Sequence, residues 1–262
     1  MAFLYLTAEI ISQVAQSVFI KLFGRRVRGG DVTFTAVMVL TVLVFFGFMA
    51  IGEPFSVEIL PYSMLFAITY ALGTLMYILA IKCGSMGLTA LIISYSLMIP
   101  TLYGLIFWNE ALDKIQIVGI IALCVSLFLV RDEAEPEKKK ASAKWLIYMT
   151  LAFIGNGFCS VVQRQQQIRF SEKYDMSFMV ASLAIASVIM IVSMIVMDRK
   201  DMKTALKGGA HYAVLCGVTN GTANLFVILT LGAGLMSAAL FYPVVAAGQT
   251  LLTFAVSVLL FG

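Results

Sequence analysis

Charge is the scarcest property of this sequence. Asp, Glu, Lys and Arg make up 12% of its 262 residues, against 61% hydrophobic residues and a mean hydropathy of +0.98. A water-soluble fold carries roughly a quarter charged residues, so 18 basic and 14 acidic side chains are too few to coat a body this apolar. Histidine is limited to His211. Cys83, Cys124, Cys159 and Cys216 stand singly in or beside apolar segments, without the CxxC or CxxxH spacing of a metal site; they read as small packing residues. No HExxH or GxSxG occurs, and no second acidic residue lies well inside a span to form a dyad, which argues against an enzyme. A P-loop is also absent, so any transport would run on gradients and not on ATP. Nothing in the pattern calls for a cofactor or a metal. The net charge of +4 belongs to membrane orientation and not to nucleic-acid binding.

What the chain has in plenty is long apolar runs. A helix crossing the hydrocarbon needs about 20 mostly apolar residues. Cutting at clusters of charge, Pro and Gly predicts nine spans, at residues 2–23, 31–51, 60–82, 87–108, 114–130, 144–163, 176–197, 209–231 and 235–261. The expected fold is an all-α polytopic membrane protein, multi-pass in the cytoplasmic membrane, with the lipid bilayer as its surroundings. The first span carries no Lys or Arg before Lys21 and no small-residue cleavage pattern, and is read as a retained helix. The run from Arg131 to Lys140 is charged, holds Pro136 and lacks apolar periodicity. It makes residues 131–143 a linker between two halves, 1–130 and 144–262. Loops after odd-numbered spans hold 14 of the 18 Lys and Arg residues, which by the positive-inside rule makes them cytoplasmic and puts the N-terminus outside.

The second half resembles the first at an offset of 147 or 148 residues. Gly73-Thr74 meets Gly221-Thr222, Gly84 meets Gly232, Gly87-Leu88 meets Gly234-Leu235, and Gln16 meets Gln163. A five-helix unit has an odd number of crossings, so the copies sit in opposite orientations: two inverted five-helix repeats, the plan of secondary transporters, with a substrate site between them. The first unit closes with the turn Trp108-Asn109-Glu110 and span five; the second shows four helices, and a tenth is expected beyond Gly262.

With its paired short Gly hairpins, its small-residue helices at 84–104 and 234–262, and the Trp108-Asn109-Glu110 turn followed by Val118-Gly119, the chain resembles the drug/metabolite transporter superfamily, EamA type. That resemblance implies ten helices in two inverted repeats and movement of metabolites, amino acids or drugs across the cytoplasmic membrane. Family members usually place the N-terminus inside, opposite to the orientation read above. The first helix is also similar to that of the small multidrug resistance exporters, in which a glutamate precedes a lysine by eight residues; here Lys21 matches the lysine and Gln13 stands at the glutamate position.

Glu9 is the one acidic residue placed well inside a predicted span, where an ionisable group is expensive and usually functional. It is the candidate for proton coupling. Glu9, Gln13 and Gln16 share a helical face by i, i+4, i+7 spacing, and Asn156, Ser160 and Gln163 repeat that spacing in span six. Two facing polar stripes along a cavity are expected, although polar groups also serve merely to bridge helices. Pro100 and Pro243 would bend spans four and nine, with Tyr95, Tyr242 and Gln249 on substrate-facing walls whose rings suit organic or cationic solutes. Tyr70, Thr74 and Tyr77 of span three and Asn220 and Asn224 of span eight complete the candidate set. Gly217 and Gly221, in GxxxG spacing, are read as helix-contact residues, and Glu110 as a structural turn residue able to pair with Lys114. The function expected is a secondary transporter, an exporter of small organic molecules working by alternating access. The alternative is a channel or structural membrane subunit, and a homodimer is left open.

Overall fold

The computed structural model describes residues 2–83, 89, 92–110, 114, 117–119, 121, 125 and 142–261. Among them every regular element is helical: α1 (Ala2–Arg26), α2 (Asp31–Met49), a 3-10 turn (Val57–Ile59), α3 (Leu60–Cys83), a second 3-10 turn (Tyr95–Leu97), α4 (Met98–Phe107), α5 (Ala143–Phe170), α6 (Asp175–Met197), α7 (Met202–Gly232) and α8 (Ala238–Phe261). Six of these, α1, α2, α3, α5, α6 and α7, are long and apolar enough to cross a membrane, and shorter apolar helix covers residues 92–107 and 238–253. The protein is an all-helical, membrane-type chain. Most of the fifth predicted span, the linker up to residue 141 and the turn at 84–86 lie outside the described residues.

Two helices outrun their predicted limits. α5 continues past residue 163 to Phe170, and α7 begins at Met202 instead of 209. Both limits had been set at charges, Arg164 and the Lys203–Lys207 pair, but a helix satisfies its backbone internally whether or not lipid surrounds it. Span four is broken beside Pro100, the residue expected to bend it. Residues 95–97 form a 3-10 turn ahead of Pro100, whose ring has no N–H for the carbonyl of Ser96 and crowds it. The approach of α5 at that carbonyl is possible because residue 157 is glycine: a Cβ there would lie 2.8 Å from Ser96 O.

Among the described residues the extensive helix contacts nearly all run between residues before 110 and residues after 142. α3 lies along α5, α1 along α7, α2 against both α6 and α7, α3 also against α6, α4 against α8 and α5, and α1 against α8. Glycine sets the closest of these. At the α3–α5 crossing a Cβ on Gly155 would stand 2.7 Å from the Gly73 nitrogen and 2.9 Å from Thr69 O, and one on Gly73 would stand 2.9 Å from the Asn156 nitrogen. Gly217 likewise brings α7 within 2.8 Å, by the same measure, of Met38 O on α2, and Gly221 presses on Phe45, so the GxxxG pair serves helix contact. Small residues act here because lipid offers no hydrophobic drive between helices and packing must replace it.

Connections segregate to two ends. Asp198, after α6, accepts from the Thr33 amide (2.8 Å) and hydroxyl (3.2 Å) at the start of α2, and Gly29 abuts Asp201. At the other end the Ser177 hydroxyl donates to Pro54 O (2.7 Å), while Glu110 reaches the start of α8. The connections after spans one and seven therefore share one face, and those after spans two, four, six and eight share the other.

Two outcomes are expected. Gly155→Leu should wedge α3 from α5 and cost about 1–3 kcal/mol or more, read as a lower melting temperature in detergent; an unchanged value would mean the crossing is looser than drawn. On a background without the natural cysteines, a membrane-impermeant thiol reagent should reach Arg28→Cys and Lys200→Cys, both exposed, from one side only, and the exposed Glu53→Cys from the opposite side.

Candidate functional site

α1 divides its faces cleanly. Leu6 and Ile10 pack on α8 around Phe241, Tyr242 and Val245, while Ile11, Val14, Ala15 and Val18 line an apolar groove of about 290 Å³ shared with Leu252 and Val256 of α8. Glu9, Gln13 and Gln16 occupy the side of the helix opposite that groove, at 100° per residue. Glu9 is 1% exposed. One carboxylate oxygen accepts from Gln13 Nε2 (3.2 Å), and the other has no hydrogen-bond partner. Its position in the sequence, nine residues from the start, suited a hydrated carboxylate equally well; packing buries it instead.

Contacts of Phe23 with Gly209, Gln16 with Asn220 and Tyr5 with Phe226 show that α1 and α7 run antiparallel. Glu9 and Gln13 therefore lie level with the stretch of α7 between Asn220 and Phe226. A chain of amides and hydroxyls joins three helices at this depth. Asn220 Nδ2 donates to Gln16 Oε1 (3.2 Å), Asn220 Oδ1 accepts from Asn224 Nδ2 (3.2 Å) and, at 3.5 Å, from the Tyr70 hydroxyl. Tyr70 stacks on Phe66 within α3. The sequence candidates Gln16, Tyr70, Asn220 and Asn224 are thus brought together, with Glu9 and Gln13 one or two turns away along α1. Thr74 spends its hydroxyl on Tyr70 O of its own helix (2.8 Å).

The second stripe has different partners. Asn156 Nδ2 donates to Ser96 Oγ (2.7 Å), the Ser160 carbonyl accepts from the Tyr242 hydroxyl (3.5 Å), and Gln163 Nε2 points to the sulfur of Met179 on α6 (3.6 Å). The two stripes rest on different neighbours: α1 is held by α7 and α8, and α5 by α3, α4 and α6 elements. Tyr77, Tyr95 and Gln249 are half-buried on α3, the 3-10 turn and α8.

Beyond Gln163 the α5 extension carries polar residues that the span boundary concealed. Arg164 donates to Leu231 O (2.8 Å) and to Gln167 Oε1 (3.4 Å); Gln167 Nε2 donates to Asp175 Oδ2 (2.9 Å) and Ile228 O (3.2 Å); Gln165 Oε1 accepts from Trp108 Nε1 (2.8 Å). The only sequence signal for this network was the Arg-Gln-Gln-Gln run itself, which resembles a solvated loop once the helix is assumed to have ended.

Trp108-Asn109-Glu110 proves to be an end-to-end joint. Asn109 adopts the left-handed conformation (φ 52°), which Asn tolerates after a helix, and the Trp108 and Glu110 amides both return to Gly104 O. The turn aims Glu110 at α8, where its carboxylate accepts from the Ala238 (3.1 Å) and Ala239 (2.7 Å) amides. A carboxylate on free helix N–H groups is favoured by both the hydrogen bonds and the helix dipole.

No family model matches the sequence, and no curated protein matches it. Nineteen chains of known structure do resemble the fold. One, described only as a crystal structure of a protein, aligns over 97% of this chain and 98% of its own at a TM-score of 0.57 and 14% identity. The fold therefore recurs at full length among solved proteins, and that likeness concerns the fold alone.

Replacing Glu110 by Ala should remove the α8 cap and cost about 0.5–2 kcal/mol, with Glu110→Gln losing less because one acceptor remains. Thermal melting of the three purified proteins orders them; equal melting points would place the cap outside the stabilising contacts.

Proposed function

We propose that this chain is a secondary transporter of the drug/metabolite transporter kind, an exporter moving small organic molecules across the cytoplasmic membrane. Its halves, residues 1–130 and 144–262, act as inverted repeats. The observation that carries this reading is the pattern of helix contacts. Exchange of each helix for its repeat mate turns α1 on α7 into α5 on α3, α2 on α7 into α6 on α3, and α1 on α8 into α5 on α4, while α2 on α6 and α4 on α8 map onto themselves. A contact set that survives exchange of the halves is what a two-fold axis between inverted repeats produces, and such repeats support alternating access by rocking one half against the other.

The substrate region is the polar stratum shared by α1, α3 and α7, with Glu9 at its edge. A carboxylate at 1% exposure with one oxygen unpartnered is costly unless it is protonated or meets a ligand, which suits a group that exchanges a proton for solute. The cationic loops around Arg25, Arg26, Arg28, Arg199, Lys200, Lys203 and Lys207 gather at one face and make that face cytoplasmic by the positive-inside rule.

Proteoliposomes test both parts. With an imposed pH gradient and a panel of amino acids and organic cations, the chain should show saturable counterflow, and Glu9→Gln should abolish the pH-driven component. Flux that does not saturate would favour a channel, and pH dependence unchanged in Glu9→Gln would reject the coupling role.

A further inference from the structure

Asp175 opens α6 at 7% exposure, yet among the described residues no cationic side chain hydrogen-bonds its carboxylate. Oδ2 accepts from the Gln167 amide, and Oδ1 is buried without a partner. The charges of Arg164 and of Glu172 both act on this carboxylate, but the Arg164 guanidinium donates to Leu231 O and Gln167, with its Nε left without a partner. Gln166 is fully buried and its side chain faces and favours the Asp175 carboxylate, but no partner of its Oε1 or Nε2 lies within hydrogen-bond distance. Ser63, also fully buried, has an unpartnered hydroxyl. The ring pairs Tyr62–Phe170 and Phe66–Phe178 put it at the same level, where α3 meets the end of α5 and the start of α6.

A buried glutamine, hydroxyl and carboxylate oxygen left open together are expensive, and buried charges are ordinarily paired or coordinate a cation. The open atoms include three oxygens: one anionic, one amide and one hydroxyl. Hard oxygens of this kind suit an alkali-metal ion. A divalent ion would be matched by more carboxylates and would here leave an excess positive charge out of water. We propose that Asp175, Gln166 and Ser63 form a binding site for a small monovalent cation, sodium fitting best, which joins α3, α5 and α6 at the end of the bundle that carries Pro54 and Glu110. The site stands apart from the polar stratum around Gln16 and does not require the transport reading.

The test is the melting temperature of the detergent-solubilised full chain in NaCl, KCl and choline chloride at equal ionic strength. A ligand that binds only the folded form raises the melting point saturably with its concentration. Sodium should therefore raise it by roughly 3 °C or more over choline. Asp175→Asn, which keeps shape and removes charge, should lose that rise without melting lower in choline. Gln166→Leu should lose it too, and serves as the readout if the Asp175 variant does not fold. Equal melting points of the natural sequence in sodium and choline would overturn the site and leave it a hydrated or protonated pocket. A sodium rise that survives in either variant would overturn it as well, by placing the ion elsewhere.

Discussion

Lipid supplies no hydrogen-bond partners, and this structure is organised around that single deficiency. Every described element is a helix because a helix settles its own backbone. What a helix cannot settle is its ends, where amides and carbonyls of the terminal turns remain open. Asp198 closes the start of α2, Glu110 the start of α8, and the Arg164 guanidinium takes the Leu231 carbonyl near the end of α7. Each of these groups comes from a different helix or connection from the one it caps. End satisfaction is therefore also tertiary structure: the same bonds that spare the backbone fix which connections meet at each end of the bundle.

Between the ends, packing takes over from polarity. Gly73 on Gly155, Gly157 on Ser96 and Gly217 on Met38 let main chains approach at distances that any Cβ would forbid. These contacts lie between the halves of the sequence. Among the described residues few contacts tie helices within a half, so the described helices of each half are held mainly by those of the other. An interface that carries most of the bundle's cohesion is a hard place for large rearrangement. On the transport proposal, motion would be rigid-body rocking with these glycine crossings as pivots, because a pivot keeps its contact while its surroundings shift.

The sequence showed much of this and concealed the rest for definite reasons. Length and hydropathy located α1, α2, α3 and α6 closely, since a membrane span is a composition signal before it is a pattern. Gly217 and Gly221 were legible as contact residues. Their partner helix was not, because spacing gives a face and not its neighbour. Charge misled at Arg164: taken as the end of a span, it hid the Gln165–Gln167 run and with it the buried carboxylate of Asp175. Glu110 was legible as a structural turn residue, but its bonds to α8 were not, for local spacing offers only Lys114 while the left-handed Asn109 swings the carboxylate toward α8. Glu9 could be singled out, but its burial depended on α7 and α8, which lie more than 190 residues further along the chain.

These errors share a cause that bears on how such sites are found. A charged residue in a membrane helix is judged against lipid, and judged so, Arg164 and Asp175 must mark edges. Judged against neighbouring helix ends, they are partners for carbonyls and amides that would otherwise stay open, and a helix can carry them inward by a turn or two. The Arg164–Gln167–Asp175 network uses donors and acceptors in that way, with only Arg164 Nε and Asp175 Oδ1 left open. Gln166 differs. It sits in the same turn and is equally buried, and although its side chain faces Asp175, no group among the described residues closes a hydrogen bond with it. Where several buried polar atoms lie open at one place, as those of Gln166 and Asp175 do here, a bound species accounts for them better than a defect of packing, because an apolar residue in place of Gln166 would avoid the cost of an unsatisfied buried amide.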